Sequence, residues 1–280
     1  MIASGRKPHH PILIEPIMGT RSAVVLSFFL AACAPAGSDD APVTAGSQFQ
    51  FEDPEVTRVY ERMMEVTAPD RGWERARYLE FSWAVTRGDG SSLVRSHRWD
   101  RWEGDARVEV EVDGMPRISI FNTNDPGGGR VWLGGEELTG ETAAEVLAGS
   151  YRAHINDSYW LVMPYKWPDP GVVTSYLGEQ TDEEGRTWEV VELSFASDIG
   201  LTPQNMYHAF INPETGRMER WHHFPEAGAD PSPSDWADWR RYGPIELAEN
   251  RVVDGNPRIY FPQLRVETEV PEGAFDPPTG

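Results

Sequence analysis

Tyr78-Leu79-Glu80-Phe81-Ser82-Trp83-Ala84-Val85 decides the fold. Leu79, Phe81, Trp83 and Val85 stand at every second position, with Tyr78, Glu80, Ser82 and Ala84 between them. A period of two sends the two sets to opposite faces of a strand. Residues 106–113 repeat the pattern: Ala106, Val108, Val110 and Val112 alternate with Arg107, Glu109, Glu111 and Asp113. One apolar and one wet face is what antiparallel sheets permit, whereas parallel sheets are covered on both sides. The architecture expected is therefore mainly β, with one face of an antiparallel sheet buried.

Outward from this stretch, strand patterns cover residues 92–102, 117–122 and 130–133. Gly88-Asp89-Gly90, Glu103-Gly104-Asp105, Asp113-Gly114 and Pro126-Gly127-Gly128-Gly129 read as the turns between them. Upstream, Asp53-Pro54 is a helix start signal, an N-cap followed by proline in the first turn. Val56, Val59, Tyr60, Met63 and Met64 then share one helical face, and the helix should end near Thr67, before Pro69. A second helix is expected over residues 141–154, where Ala143, Val146, Leu147 and Tyr151 share a face. Strand patterns return at 171–177, 187–196, 206–212, 217–224 and 259–270, the last broken at Pro262. The order is helix, meander, helix, meander. Roughly ten strands suit a strongly curved sheet or incomplete barrel, its concave face covered by the helices, better than a small open leaf.

The N-terminal segment carries an address. Arg21 precedes the apolar run 22–29, and Leu30-Ala31-Ala32-Cys33 ends it on the only cysteine of the chain. A basic flank, a short apolar core and small residues before the cut form a secretory signal. The run from Ala23 to Ala32 is about half the length a spanning helix needs. Met18 is the expected start, so residues 1–32 comprise an upstream piece and the signal. Residues 33–50, small and polar, read as a flexible tether with a reach of roughly 20–25 Å. Residues 51–270 fit one curved-sheet domain, and residues 271–280, rich in Pro and Gly, should be loose.

Charge narrows the partners. The chain has 45 acidic and 25 basic residues, a net charge of −20. Removing residues 1–32 takes away three basic residues (Arg6, Lys7, Arg21) and the acidic Glu15, which leaves −22. Such a chain repels nucleic acid and anionic membrane surfaces. Attachment to a membrane must come from lipid. With one cysteine in the chain, the domain has no internal disulfide and depends on core burial.

Small residues followed by Cys33 resemble the lipobox of bacterial lipoproteins, in which the cysteine thiol takes a diacylglycerol and the new amine is acylated. A lipoprotein with an N-terminal helix, an antiparallel meander and a mid-chain helix is similar to the lipoprotein carriers and receptors of the Lol system. That resemblance implies an unclosed barrel with an apolar concave face capped by helices, an acyl chain or lipoprotein lipid as ligand, and an outer-membrane address facing the periplasm. The segments Asn156-Asp157-Ser158-Tyr159-Trp160-Leu161-Val162-Met163-Pro164-Tyr165-Lys166, Asp169-Pro170-Gly171, Leu201-Thr202-Pro203, Tyr207, Asn212 and Thr215-Gly216 resemble a family of uncharacterised bacterial lipoproteins.

No motif names a reaction. His222 and His223 point to opposite faces of a strand, and His208 can meet only His222 across a hairpin. A zinc site needs three or four ligands, and there is neither HExxH nor GxSxG. Gly127-Gly128-Gly129 lacks the Lys and Ser of a phosphate loop. Glu109, Glu111 and Asp182-Glu183-Glu184 belong to an acidic solvated surface. No cofactor and no metal are expected. The better lead is the 11 tryptophans. The expected ligand contacts are Leu79, Phe81, Trp83, Val108, Val110 and Ile120 on the sheet, with Trp160, Met163 and Tyr165 at the mouth and Lys166 beside an anionic headgroup. The leading reading is a non-enzymatic, lipid-anchored binder of an apolar ligand. The alternatives are a scaffold with a filled interior that binds an envelope protein through its acidic surface, and a hydrolase of envelope glycan or ester using His208, His222 and Asp198.

Overall fold

The computed structural model describes residues 50–196 and 200–278; Cys33, the signal segment, most of the tether and Asp198 lie outside them. The first element is α1 (Pro54–Thr67), with the bounds its apolar period predicts. Asp53 caps it, accepting from the backbone N–H of Glu55 at 2.9 Å. The other oxygen of the same carboxylate accepts from the backbone N–H of Tyr176 at 3.1 Å, so the cap also ties the helix to a distant strand. A single turn, α2 (Gly72–Arg75), follows.

Six strands come next: β1 (Tyr78–Thr86), β2 (Ser92–Asp100), β3 (Asp105–Val112), β4 (Met115–Asn122), β5 (Asp125–Leu133) and β6 (Glu136–Leu138). Helix α3 (Gly140–Val162) and a 3-10 turn (Met163–Tyr165) interrupt them. Seven more complete the sheet: β7 (Val172–Thr181), β8 (Thr187–Phe195), β9 (Met206–Ile211), β10 (Met218–Phe224), β11 (Ser232–Tyr242), β12 (Ile245–Val253) and β13 (Asn256–Glu267).

All thirteen form one antiparallel sheet in the order β6-β5-β4-β3-β2-β1-β13-β12-β11-β10-β9-β8-β7. Each meander is built from sequential hairpins, and the β1–β13 pairing joins the two. The sheet curls but stays open, with β6 and β7 as its edges. Helix α3 carries the chain from one edge to the other. Its 23 residues span about 34 Å at the rise of an α-helix. The mainly β, curved and unclosed architecture expected from the sequence is the one observed.

Four details differ. The sheet has thirteen strands, because β6, β11 and β12 lack a clean alternation. Gly127-Gly128-Gly129 lies inside β5 rather than in a turn. A Cβ on Gly129 would stand 2.5 Å from the Ile120 carbonyl oxygen and 2.8 Å from Leu147 Cδ2, so glycine lets strand and helix meet. Helix α3 runs to Val162, eight residues past His154. Asn156-Asp157-Ser158 are poor helix formers, yet Asp157 is buried at 0% exposure and paired to the sheet, which holds the helix on. The terminal segment is docked: Ala274 is buried, its carbonyl accepts from Arg98, and Phe275 meets Tyr78 edge-on.

The core fills the inner face. Helix α1, Met163 and Trp167 pack with Val191, Leu193, Trp221 and Trp236 of the second meander. Leu161, Val162 and Tyr165 pack with Leu79, Phe81, Trp83, Leu247 and Phe261 around the β1–β13 seam. Leu147 packs with Ala106, Val108, Phe121 and Val131. Each such large apolar side chain contributes about 1.5–3 kcal/mol on burial.

Candidate functional site, the inner face beside helix α3

The register arranges the inner face of the first meander into rows that run across the strands. One row is Leu79, Trp99, Ala106 and Phe121. The next is Phe81, His97, Val108, Ser119, Val131 and Leu138. A third is Trp83, Arg95, Val110, Arg117, Leu133 and Glu136. Directly opposed residues share a face, so each row is a line of side chains beneath or beside α3.

Helix α3 covers the first two rows. Leu79, Phe81, Val108, Ser119 and Val131 are all buried. The third row is covered only in part, at Trp83 and where Arg95 reaches Asp157 of α3. Trp83 is buried, but Arg95, Val110, Arg117 and Leu133 are only half-buried. Val85 and Leu93, paired to each other one step further out, are half-buried too. The inner face thus ends in an apolar shelf beside the helix, with two arginines in it.

The helix meets the sheet through polar groups. Its buried stripe is Leu147, Ser150, His154, Asp157, Ser158, Leu161 and Val162, spaced by threes and fours with a polar middle. Ser150 and Ser119 share a hydrogen bond of 2.8 Å. Asp157 accepts from Arg95 at 2.6 and 2.8 Å and from His97 Nε2 at 2.9 Å. His154 Nδ1 lies 3.4 Å from His97 Nδ1. With both rings neutral, His97 donates Nε2–H to Asp157 and accepts on Nδ1 from His154. That tautomer makes His154 Nε2 the unprotonated nitrogen, and this atom is buried without a hydrogen-bond partner. Burial pushes His97 down and His154 down to about 3. Burial alone would raise Asp157, but hydrogen bonds from His97 and Arg95 hold it below the usual carboxylate range. The cluster is one cation, one anion and two neutral rings.

Arg117 differs from Arg95. Among the described residues its side chain has neither an ion pair nor a hydrogen bond, and its Nε is buried. Burial and the neighbouring charge of Arg95 pull its guanidinium down. At the far end of α3, Arg251 is fully buried and donates to the Trp160 carbonyl oxygen at 3.0 Å and to the Ala248 carbonyl oxygen at 3.0 Å. It satisfies one of the orphan carbonyls that every helix C-terminus presents.

The nine contacts expected from the sequence do not form one site. Trp83 and Val110 belong to the shelf. Leu79, Phe81 and Val108 lie under α3. Met163 and Tyr165 are buried, the tyrosine stacked at 4.7 Å on Trp73, and Trp160 meets Trp221 at 4.3 Å. Ile120 stands on the outer face, opposite Arg107 and Arg130, because β4 reads inward through Arg117, Ser119 and Phe121. Lys166 is paired with Asp169. His208 lies opposite His222 but bonds Glu192 at 3.2 Å. Among the described residues no group of three or more His, Cys, Asp or Glu could hold a metal ion. Sequence reasoning missed Arg95, Arg117 and Asp157. The signal was an arginine at an inward position of a strand, visible once the register is known.

No protein-family model and no curated protein matches the sequence. Solved structures do. A DUF1329 family protein from Desulfovibrio piger is 11% identical with a TM-score of 0.42, over 79% of this chain and 97% of that one. A putative outer membrane lipoprotein-sorting protein domain from Vibrio parahaemolyticus is 11% identical with a TM-score of 0.41, over 79% and 95%. A LolA superfamily protein from Nitrosomonas europaea is 10% identical with a TM-score of 0.42, over 78% and 96%. Likeness at this level is one of layout and says nothing of a ligand.

Proposed function

We propose that this chain is a lipid-anchored protein of the bacterial envelope that holds the apolar part of an amphiphile on its inner sheet face, without catalysis. The observation that carries the reading is the shelf: the inner face continues beside α3, and its apolar members Val85, Leu93, Val110 and Leu133 are left half-buried there. Concave apolar surfaces with a few polar groups are the usual form of small-molecule sites. The polar seam under α3 supports it as well. Ser150, His154 and Asp157 can be rehydrated if the helix lifts, whereas a purely apolar stripe resists separation. Lifting would extend the shelf over Phe81 and Val108. Acylation at Cys33 and an outer-membrane position facing the periplasm belong to the same reading.

One observation favours a second reading. Under α3, Leu79, Phe81, Ala106, Val108, Phe121 and Val131 are buried, as a scaffold with a filled interior requires. The test compares Val110→Asp with Ile120→Asp in the full chain, using a fluorescent long-chain acyl probe. Both residues are half-buried on neighbouring strands, but they face opposite sides. A binder loses probe uptake in the first variant and keeps it in the second. Absence of uptake by the unmodified chain favours the scaffold.

A further inference from the structure

We infer that Arg117, with Arg95 beside it, forms a headgroup site for a long-chain amphiphile bearing a compact monoanion, a carboxylate. The inference rests on the apolar-ligand reading and adds the class of the head. The two arginines belong to one row, with Val110 between them. Their backbones are two strands apart, about 10 Å, and both side chains point to the inner face. Asp157 already neutralises Arg95 through two hydrogen bonds. Arg117 therefore carries the uncompensated charge of the shelf. Glu136 ends the row but is exposed and makes no ion pair with it.

This arrangement is unusual for the molecule. In a chain of net charge −20, carboxylates are abundant, and most of its half-buried arginines have found one or a row of carbonyls. Arg117 instead faces Val110 and Leu133, its direct neighbours in the row. A half-buried cation without a partner costs free energy. A ligand anion removes that cost. The guanidinium fork suits a planar carboxylate in two parallel bonds. Its Nε is buried while its two terminal nitrogens are not, so the acceptor meets the guanidinium end-on, through those two nitrogens. Val85, Leu93, Val110 and Leu133 would then take the first part of the alkyl chain.

The test titrates the full chain with palmitate and, separately, with hexadecanol, which has a chain of equal length and no charge. The expected result is palmitate binding at least about tenfold tighter than hexadecanol, the effect of one charge-assisted hydrogen-bonded pair. Arg117→Gln should bring palmitate to the level of hexadecanol and leave hexadecanol unchanged, which also shows that the variant is folded. Arg117→Lys should retain part of the difference. Equal binding of the two ligands, unaltered by Arg117→Gln, overturns the headgroup site and leaves the apolar-ligand reading standing. Binding of neither overturns both. Phosphatidylglycerol vesicles that bind in an Arg117-dependent manner while palmitate does not overturn the carboxylate assignment.

Discussion

His154 shows how much a single residue can carry that its sequence context does not reveal. It occupies an apolar-stripe position of α3, 1% exposed, edge-on to Trp99 at 5.4 Å and to Phe121 at 6.1 Å. Burial keeps it neutral by pulling its pKa down to about 3, from about 6.5 in the unfolded chain. The unfolded state then binds the extra proton as pH drops below about 6.5, so stability is complete above that pH and falls toward about pH 3. By pH 5 the loss from this one group is about 2 kcal/mol. Urea unfolding of the protein and of His154→Phe at a series of pH values should show it. The two stability profiles should diverge by that amount between pH 7 and pH 5; parallel profiles would refute it. As histidines, His97 and His154 looked like any others in the sequence. Their partner Asp157 sits in a stretch that reads as a helix end, and only the fold brings it under the sheet.

At the scale of the element, α3 is the part on which the proposed function turns. Ser119 Oγ and Ser150 Oγ are 2.8 Å apart at the middle of the polar seam. Replacing both by cysteine, with Cys33→Ser to remove the native thiol, should allow a disulfide that fastens the helix to β4. If the helix lifts to admit a ligand, the oxidised variant should lose most acyl-probe uptake and recover it on reduction. Uptake unaffected by oxidation would confine binding to the shelf that is already open. The same element separates what was readable from what was not. Helix α1 was legible to the residue, because cap, proline and apolar period agree. Strands β1 and β3 were legible to within a residue, because their apolar residues alternate strictly. Strand β11 was not, because Asp238 adopts a positive φ of 60° in its interior and Trp236 and Trp239 stack three residues apart. Strand β12 hides a fully buried Arg251 where an apolar residue is expected. The shelf was half legible: Trp83 and Val110 follow from alternation, but Arg95 and Arg117 need the register between strands, which no single strand's pattern contains.

At the scale of the whole molecule, the open sheet belongs to an acidic chain, and charge decides how it can meet a membrane. Among the described residues no helix is long and apolar enough to cross one. The net charge of −20 repels anionic lipid surfaces. Contact through charge is thus unfavourable, and a lipid on Cys33 would carry the attachment. Acyl chains contribute about 0.8 kcal/mol per buried CH₂, and two or more give stable anchoring. The two modes respond oppositely to salt. At 1 M salt the screening length is about 3 Å, so any electrostatic contact is lost while a buried acyl chain is unaffected. Fractionation of bacterial cells should therefore leave the full chain in the membrane pellet through a wash at high salt, and should place Cys33→Ser in the soluble fraction. Release of the unmodified chain by salt, or retention of Cys33→Ser in the pellet, would mean that the sheet domain itself holds the membrane. The inner-face shelf would then have to be considered as a surface for membrane lipid rather than for a ligand carried away from it.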